Sequence, residues 1–295
     1  MTSSGDHPDR SVRPIEESVR TDLTGAMSYG RYLDLERLLG AQHPVSDPEH
    51  HDELLFIVQH QTSELWLKLV LHELRAARAY LATDAVGAAL KSLARVKNIQ
   101  RTLTEQWSVL ATLTPREYAQ FRGSLGSASG FQSAQYRAVE FVLGNKNAAM
   151  LKVFDSEPEA QAVLAELLES PTLYDEFLAL LARLGFEIPG HVLSRDVREP
   201  WRFEPALVPV FRRIYESEET PWRVYEACES LVDLEDNSQM WRTRHLLTVR
   251  RTIGAKTGTG GSSGLGFLQR ALDLTFFPEL YAVRTEIGTP VDGGR

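Results

Sequence analysis

The segment from Thr220 to Gly254, "TPWRVYEACESLVDLEDNSQMWRTRHLLTVRRTIG", contains no proline after Pro221. Nothing in it removes a backbone N–H or clashes with a preceding turn, so it reads as one helix, with Pro221 in its first turn. Such a helix is long enough to cross a whole domain. The same period recurs elsewhere. In "ALKSLARVKNIQRTLTEQWSVLATL", Leu90, Leu93, Val96, Ile99, Leu103, Trp107 and Leu110 return every three or four residues, the stripe of a buried helix face. "SPTLYDEFLALLARLG" predicts a further helix, with Ser170 as N-cap, Pro171 in the first turn and Gly185 just past the end. Alternating strand patterns are scarce, and neither an internal repeat nor an interdomain linker is visible. The expected fold is all-α, a single-domain bundle of long helices over residues 23–288. It is flanked by a disordered, polar N-terminal tail, residues 1–22, and a C-terminal tail, residues 289–295.

Composition narrows the partners. With 43% hydrophobic and 24% charged residues over 295 positions, the chain can bury a large core. A net charge of -8 disfavours nucleic acid and anionic membrane surfaces, both of which attract basic stripes. The single cysteine, Cys228, cannot form an internal disulfide, and no apolar run reaches membrane-spanning length or resembles a signal peptide. A cytoplasmic protein that meets a small ligand or a protein partner is the expectation.

Several stretches carry chemistry. In "DELLFIVQHQTSELWLKLVLHEL", helical spacing puts Phe56, His60, Ser63 and Leu67 on one stripe, with Glu64 and Lys68 as an i, i+4 ion pair beside it. An aromatic ring next to an imidazole suits a wall that binds a flat ligand through one hydrogen bond; a satisfied core histidine fits the segment equally. In "TPREYAQFRG", Thr114 and Glu117 form a capping box with Pro115 at the first helical position, which sets Tyr118 and Arg122 on one face. A phenol beside a guanidinium makes a carboxylate clamp, or else a surface stacking pair. The Gly/Ser loop that follows, "GSLGSASGFQSAQYR", lets backbone approach a ligand and feeds a helix from near Gln132.

"KTGTGGSSGLG", from Lys256 to Gly266, is the most glycine-dense stretch, and it has neither P-loop nor GxGxxG spacing. The KTG triplet lacks the SxxK and SDN partners of penicillin-binding enzymes. A loop folding over a small ligand, with Thr259 as hydroxyl handle, fits it; so does a plain connector. The histidines form no HExxH and no cluster with carboxylates or cysteines, against a zinc or non-haem iron site. His245 stands alone in the long helix one turn after Trp241, as a structural histidine or as the one imidazole a haem requires.

Together, "FIVQHQTSELWLKL", "TPREYAQFRGSLGSASGFQSAQYR" with "EFVLGNKN", "MWRTRH" and "IGAKTGTGGSSGLGFLQ" resemble, in order and from about Leu23 to Ile287, the bacterial tryptophan 2,3-dioxygenases. The resemblance implies a haem b in each subunit and cleavage of the indole C2–C3 bond of L-tryptophan by O2, giving N-formylkynurenine. It implies His245 as the axial ligand to haem iron and His60 as the distal histidine that meets the indole N–H. Phe56 would line the indole pocket with Leu125 packed near it. Tyr118 and Arg122 would hold the substrate carboxylate, Thr259 its ammonium or carboxylate, and Ser129 would lie on the distal haem side. Tyr29 and Tyr32 would complete a neighbouring subunit's pocket in a homotetramer, a dimer of dimers.

Asn237, Ser238 and Thr243 stand where bulkier or aromatic residues are expected of the family, on or near the proximal haem face. They leave one alternative beside the dioxygenase, a related haem monooxygenase acting on a substituted indole or tryptophan in secondary metabolism; a non-catalytic haem sensor is a second, from a different class. A gas sensor, however, has no need of a carboxylate clamp.

Overall fold

The helical period is realised throughout the computed structural model, which describes residues 12–289 and has no strand among them. The chain divides into two units, one ending at His43 and one starting at Pro44. In the first, Ser28 caps α1 (Tyr29–Tyr32) by accepting from Arg31 N, and Asp34, at φ +51°, turns the chain into α2 (Leu35–Leu39). Two such short helices cannot enclose a core. None of their residues is buried, and Tyr29 and Tyr32 are 75% and 76% exposed. Residues 12–22 of the expected tail are exposed and form no helix; its residues 1–11, and residues 290–295 of the C-terminal tail, lie outside the described residues.

The second unit opens with α3 (His51–Ala82), α4 (Val86–Glu105), the turn α5 (Trp107–Leu110) and α6 (Pro115–Phe121). It continues through α7 (Ala134–Leu143), α8 (Pro158–Glu169), α9 (Leu173–Arg183), the turn α10 (Gly190–Leu193) and α11 (Val208–Glu216). It ends with α12 (Trp222–Thr252), α13 (Leu265–Leu272) and α14 (Pro278–Ala282). The helix α3 packs against α4, α7 and α9, and α4 packs against α12. Leu74, Leu93, Val96, Phe141, Phe177 and Leu231 lie at the centre of this core, each at most 2% exposed. A Leu→Ala change at such a position costs about 2–5 kcal/mol, because the cavity adds to the lost burial. A second apolar cluster, Trp107, Leu110, Leu113, Tyr118 and Phe121, sits under α5 and α6. Phe56 and Leu125 join it, and so does Trp241 of α12.

Local details refine the sequence reading. The predicted long helix is α12, starting directly after Pro221, with Gly254 just beyond it at φ +70°. The stripe from Leu90 to Leu110 is one buried face, but its helix is interrupted at Gln106 and resumes as α5. Ser170 does not cap α9. It terminates α8, and Thr172 caps α9 through a reciprocal capping box with Asp175, which satisfies two backbone donors where Ser170 offers one. The Thr114–Glu117 box of α6 is formed as expected. The Gly/Ser loop makes a 3-10 turn at Gly130–Gln132 before Ser133 caps α7.

Candidate active site

The long helices α3 and α12 both line a cavity of about 470 Å³, to which α6, α7, α13 and the glycine-rich loop before α13 also contribute. From α3 come Phe56, His60, Ser63 and Leu67, the stripe set by the helical period. The Phe56 and His60 rings lie 4.2 Å apart, and Phe56 also meets Tyr118 and Phe121, each at 5.7 Å. His60 Nδ1 lies 2.7 Å from the Phe56 carbonyl oxygen. A carbonyl only accepts, so Nδ1 carries the proton and Nε2 keeps a lone pair. Burial lowers the His60 pKa below its ordinary value, against the raising pull of the Phe56 bond and Glu64, so the ring is neutral at pH 7.

His245 lines the same cavity from α12. Its ring stacks on Trp107 at 4.7 Å and 13°, with Trp241 tilted against it at 5.4 Å. Burial, reinforced by His60, pushes its pKa down to about 4. No described residue hydrogen-bonds its ring nitrogens, and the indole N–H groups of Trp107 and Trp241 and the Thr252 hydroxyl also lack partners. A neutral imidazole with a free lone pair, held between aromatic walls, fits the axial-ligand position of a haem. The aromatic enclosure suits a flat macrocycle, and the residues therefore fit that group.

At another part of the wall, Tyr118 and Arg122 stand together, both lining the cavity. Burial raises the Tyr118 pKa, with Arg122 pulling it back, which keeps the phenol a hydrogen-bond donor. Arg122 Nη2 donates to the Thr257 carbonyl at 2.6 Å, while its buried Nε has no partner among the described residues. Thr259 donates to the Ala128 carbonyl at 2.6 Å, so the glycine-rich loop lies against the Gly/Ser segment. Ser129 lines the cavity beside it and accepts from Phe131 N. Leu125 packs, like Phe56, against the Trp107, Tyr118 and Phe121 cluster. Tyr29 and Tyr32 belong to the N-terminal unit and are exposed there.

A second sequence expectation, after the cap of α9, is overturned. Glu64 makes no ion pair with Lys68. It lines the cavity and accepts from Gln135 Nε2 at 3.0 Å, because α7 packs on that side of α3 while Lys68 remains in solvent. Among Asn237, Ser238 and Thr243, Ser238 turns to α4, accepting from Gln100 Nε2 at 2.9 Å and donating to the Leu234 carbonyl. It bridges two helices.

Sequence reasoning missed several lining residues. Trp107 belongs by its spacing to the core stripe, yet it also stacks on His245. The half-buried Tyr136 and Arg137 and the buried Glu140 and Arg242 also border the cavity, with the Glu140 pKa pushed up by burial and its carboxylate held by both guanidinium groups. The i, i+3 spacing of Arg137 and Glu140 was a readable signal; Arg242 joins them only through the fold.

The protonation state of His60 sets a pH expectation. Its lone pair persists while the ring is neutral, so binding of an N–H donor is expected to stay level as pH falls from 8 through 6.5. Loss is expected only below that ordinary histidine range. Ligand titrations of the haem-loaded protein across this window check the expectation, and a midpoint at or above 6.5 contradicts it.

An all-helical fold whose aromatic cavity holds an unpartnered imidazole and a second, tautomer-fixed one fits the class of haem-binding proteins. Comparison with known proteins is more particular. The family model of tryptophan 2,3-dioxygenase matches residues 14–191 and 203–287. Proteins named tryptophan 2,3-dioxygenase from Kineococcus radiotolerans and from an Arthrobacter species are 68% and 66% identical, covering 95% of this chain and 98% and 99% of their own. The Serratia proteamaculans protein of that name is 56% identical over 94% of this chain and 99% of its own. The chain belongs to the tryptophan 2,3-dioxygenase family.

Proposed function

We propose that this chain opens the indole ring of L-tryptophan, adding both atoms of O2 across the C2–C3 bond to give N-formylkynurenine. The observation that carries the reading is one cavity holding the open His60 Nε2, the unpartnered His245 ring and the Arg122 guanidinium. A haem b, one per subunit, would be held by His245 and would supply O2 activation when bound. The protein's own residues bind and orient. Nε2 of His60 accepts the indole N–H, Phe56 forms the wall for the ring and Leu125 backs that wall. Tyr118 and Arg122 grip the carboxylate, and Thr259 reaches the ammonium or carboxylate from the glycine-rich loop. Ser129 borders the distal side.

His60 acts here as an orienting acceptor. Burial weakens its basicity, and an indole N–H is a very weak acid, so full proton abstraction by this ring is steeply uphill. Both oxygen atoms end in the product, which leaves no reducing equivalent to be supplied during turnover.

Two further elements belong to the proposal. The exposed Tyr29 and Tyr32, both on the short helix α1 with no buried residue, support a role in a neighbouring subunit's pocket within a homotetramer built as a dimer of dimers. The one cysteine, Cys228, is buried and free, in keeping with the cytoplasm. No helix among the described residues is long and apolar enough to cross a membrane.

The test is the product mass formed by reduced, haem-loaded protein from L-tryptophan under labelled O2. Two labelled oxygens in a ring-opened product are expected. One labelled oxygen would favour the monooxygenase, and haem retention without turnover would favour the sensor.

A further inference from the structure

The glycine-rich loop contains several glycines, and they do different work. Gly264 sits at φ +61°, where a Cβ would lie 2.5 Å from the Lys256 carbonyl oxygen, so it closes the base of the loop. A Cβ on Gly258 would meet only Ser262, again within the loop. Gly260 is different. A Cβ there would lie 2.8 Å from Ser129 Cβ and 3.0 Å from Ser129 Oγ, across the boundary between the loop and the Gly/Ser segment. Its φ lies outside the left-handed region, so the backbone itself accepts alanine. The requirement for glycine at 260 is therefore one of contact.

That contact adjoins both bonds that seat the loop. The residue before Gly260 is Thr259, whose hydroxyl donates to Ala128 O, the residue before Ser129. Three residues earlier, Thr257 O receives Arg122 Nη2. A methyl group at 260 would lift this strand of the loop off Ser129 and carry the Thr259 hydroxyl with it, since a bond of 2.6 Å tolerates little displacement. We propose that Gly260 is a positioning residue. By its close approach to Ser129 it sets the depth at which the loop seats, and so where Thr259 meets the charged end of an amino-acid substrate. This rests on the function proposed above for the identity of that substrate, but not for the seating itself.

The test is a double-mutant cycle with Gly260→Ala and Ser129→Gly in the haem-loaded protein. Ser129→Gly removes both clashing atoms, and glycine is nearly as good as serine at the helix-capping position that Ser129 occupies. Two readouts are taken. Trypsin cleavage after the exposed Lys256, without substrate, reports seating. Gly260→Ala is expected to speed it about tenfold with Ser129 present, and less than about twofold in the Ser129→Gly background. Steady-state turnover is expected to show a KM for L-tryptophan raised about tenfold by Gly260→Ala with kcat little changed, again only when Ser129 is present. An equal effect in both backgrounds, or no effect in either, overturns the proposal. Should the parent protein fail to act on L-tryptophan, the function proposed above fails, while the proteolysis cycle still decides the role of Gly260.

Discussion

Replacing His245 with alanine is expected to leave a folded, helical protein that no longer retains haem. The ring makes no hydrogen bond to any described residue and is held by stacking on Trp107 with Trp241 tilted against it, so no polar network is broken by its removal. The main core, centred on residues such as Leu74, Val96 and Phe177, does not include it. Partners of metal ligands typically change affinity by ~10–100-fold, so loss of the ligand itself is expected to exceed about a hundredfold. Haem transfer to an apo-globin acceptor measures this directly, with far-UV dichroism as the check on folding. His60→Ala is the contrast. It removes the imidazole that would accept the indole N–H and is expected to keep haem while impairing turnover of L-tryptophan. The reverse pattern, haem lost with His60 and kept without His245, would exchange the two assignments.

What could be read in the sequence, and what could not, follows from the range of each interaction. The helix α12 was legible because absence of proline and a continuous period are properties of neighbouring residues. So was the stripe Phe56, His60, Ser63 and Leu67, since 3.6 residues per turn puts them on one side of α3 whatever packs there. The cap of α9 was misread by two residues because Ser170 and Thr172 are both competent caps, and only the reciprocal bond with Asp175 distinguishes them. Glu64 was misplaced for a longer-range reason. Its favourable i, i+4 spacing to Lys68 is a local rule worth only a few tenths of a kcal/mol, and it yields to Gln135, which the packing of α7 on α3 brings within 3.0 Å. The stacking of Trp107 on His245 spans more than a hundred positions of sequence and no local rule predicts it. The same limit hid the meeting of Arg242 with Glu140.

The second large effect is expected at Arg122. In the proposed complex its guanidinium pairs with the substrate carboxylate, and Arg122→Leu leaves that carboxylate facing a hydrocarbon wall. Truncating one member of a buried, hydrogen-bonded charge pair costs about 2–5 kcal/mol, which corresponds to roughly 30- to several-thousand-fold in affinity. Indole itself carries no carboxylate, so its binding is expected to change by less than about threefold. The guanidinium has a second task, because its Nη2 also donates to Thr257 O and so helps to seat the glycine-rich loop. A weakened loop alone would therefore lower L-tryptophan affinity to some degree. Arg122→Lys separates the two contributions. Lysine keeps the charge but not the planar fork, and it cannot hold Thr257 O and a carboxylate in the same geometry. If pairing of charges dominates, lysine recovers a substantial part of the lost affinity; if the loop contact dominates, lysine and leucine bind L-tryptophan alike. Ligand titrations of the haem-loaded variants, followed through the haem absorption band, read both outcomes. Equal losses for indole and L-tryptophan would remove the carboxylate clamp altogether and leave Arg122 as a support for the Tyr118 and Phe56 wall.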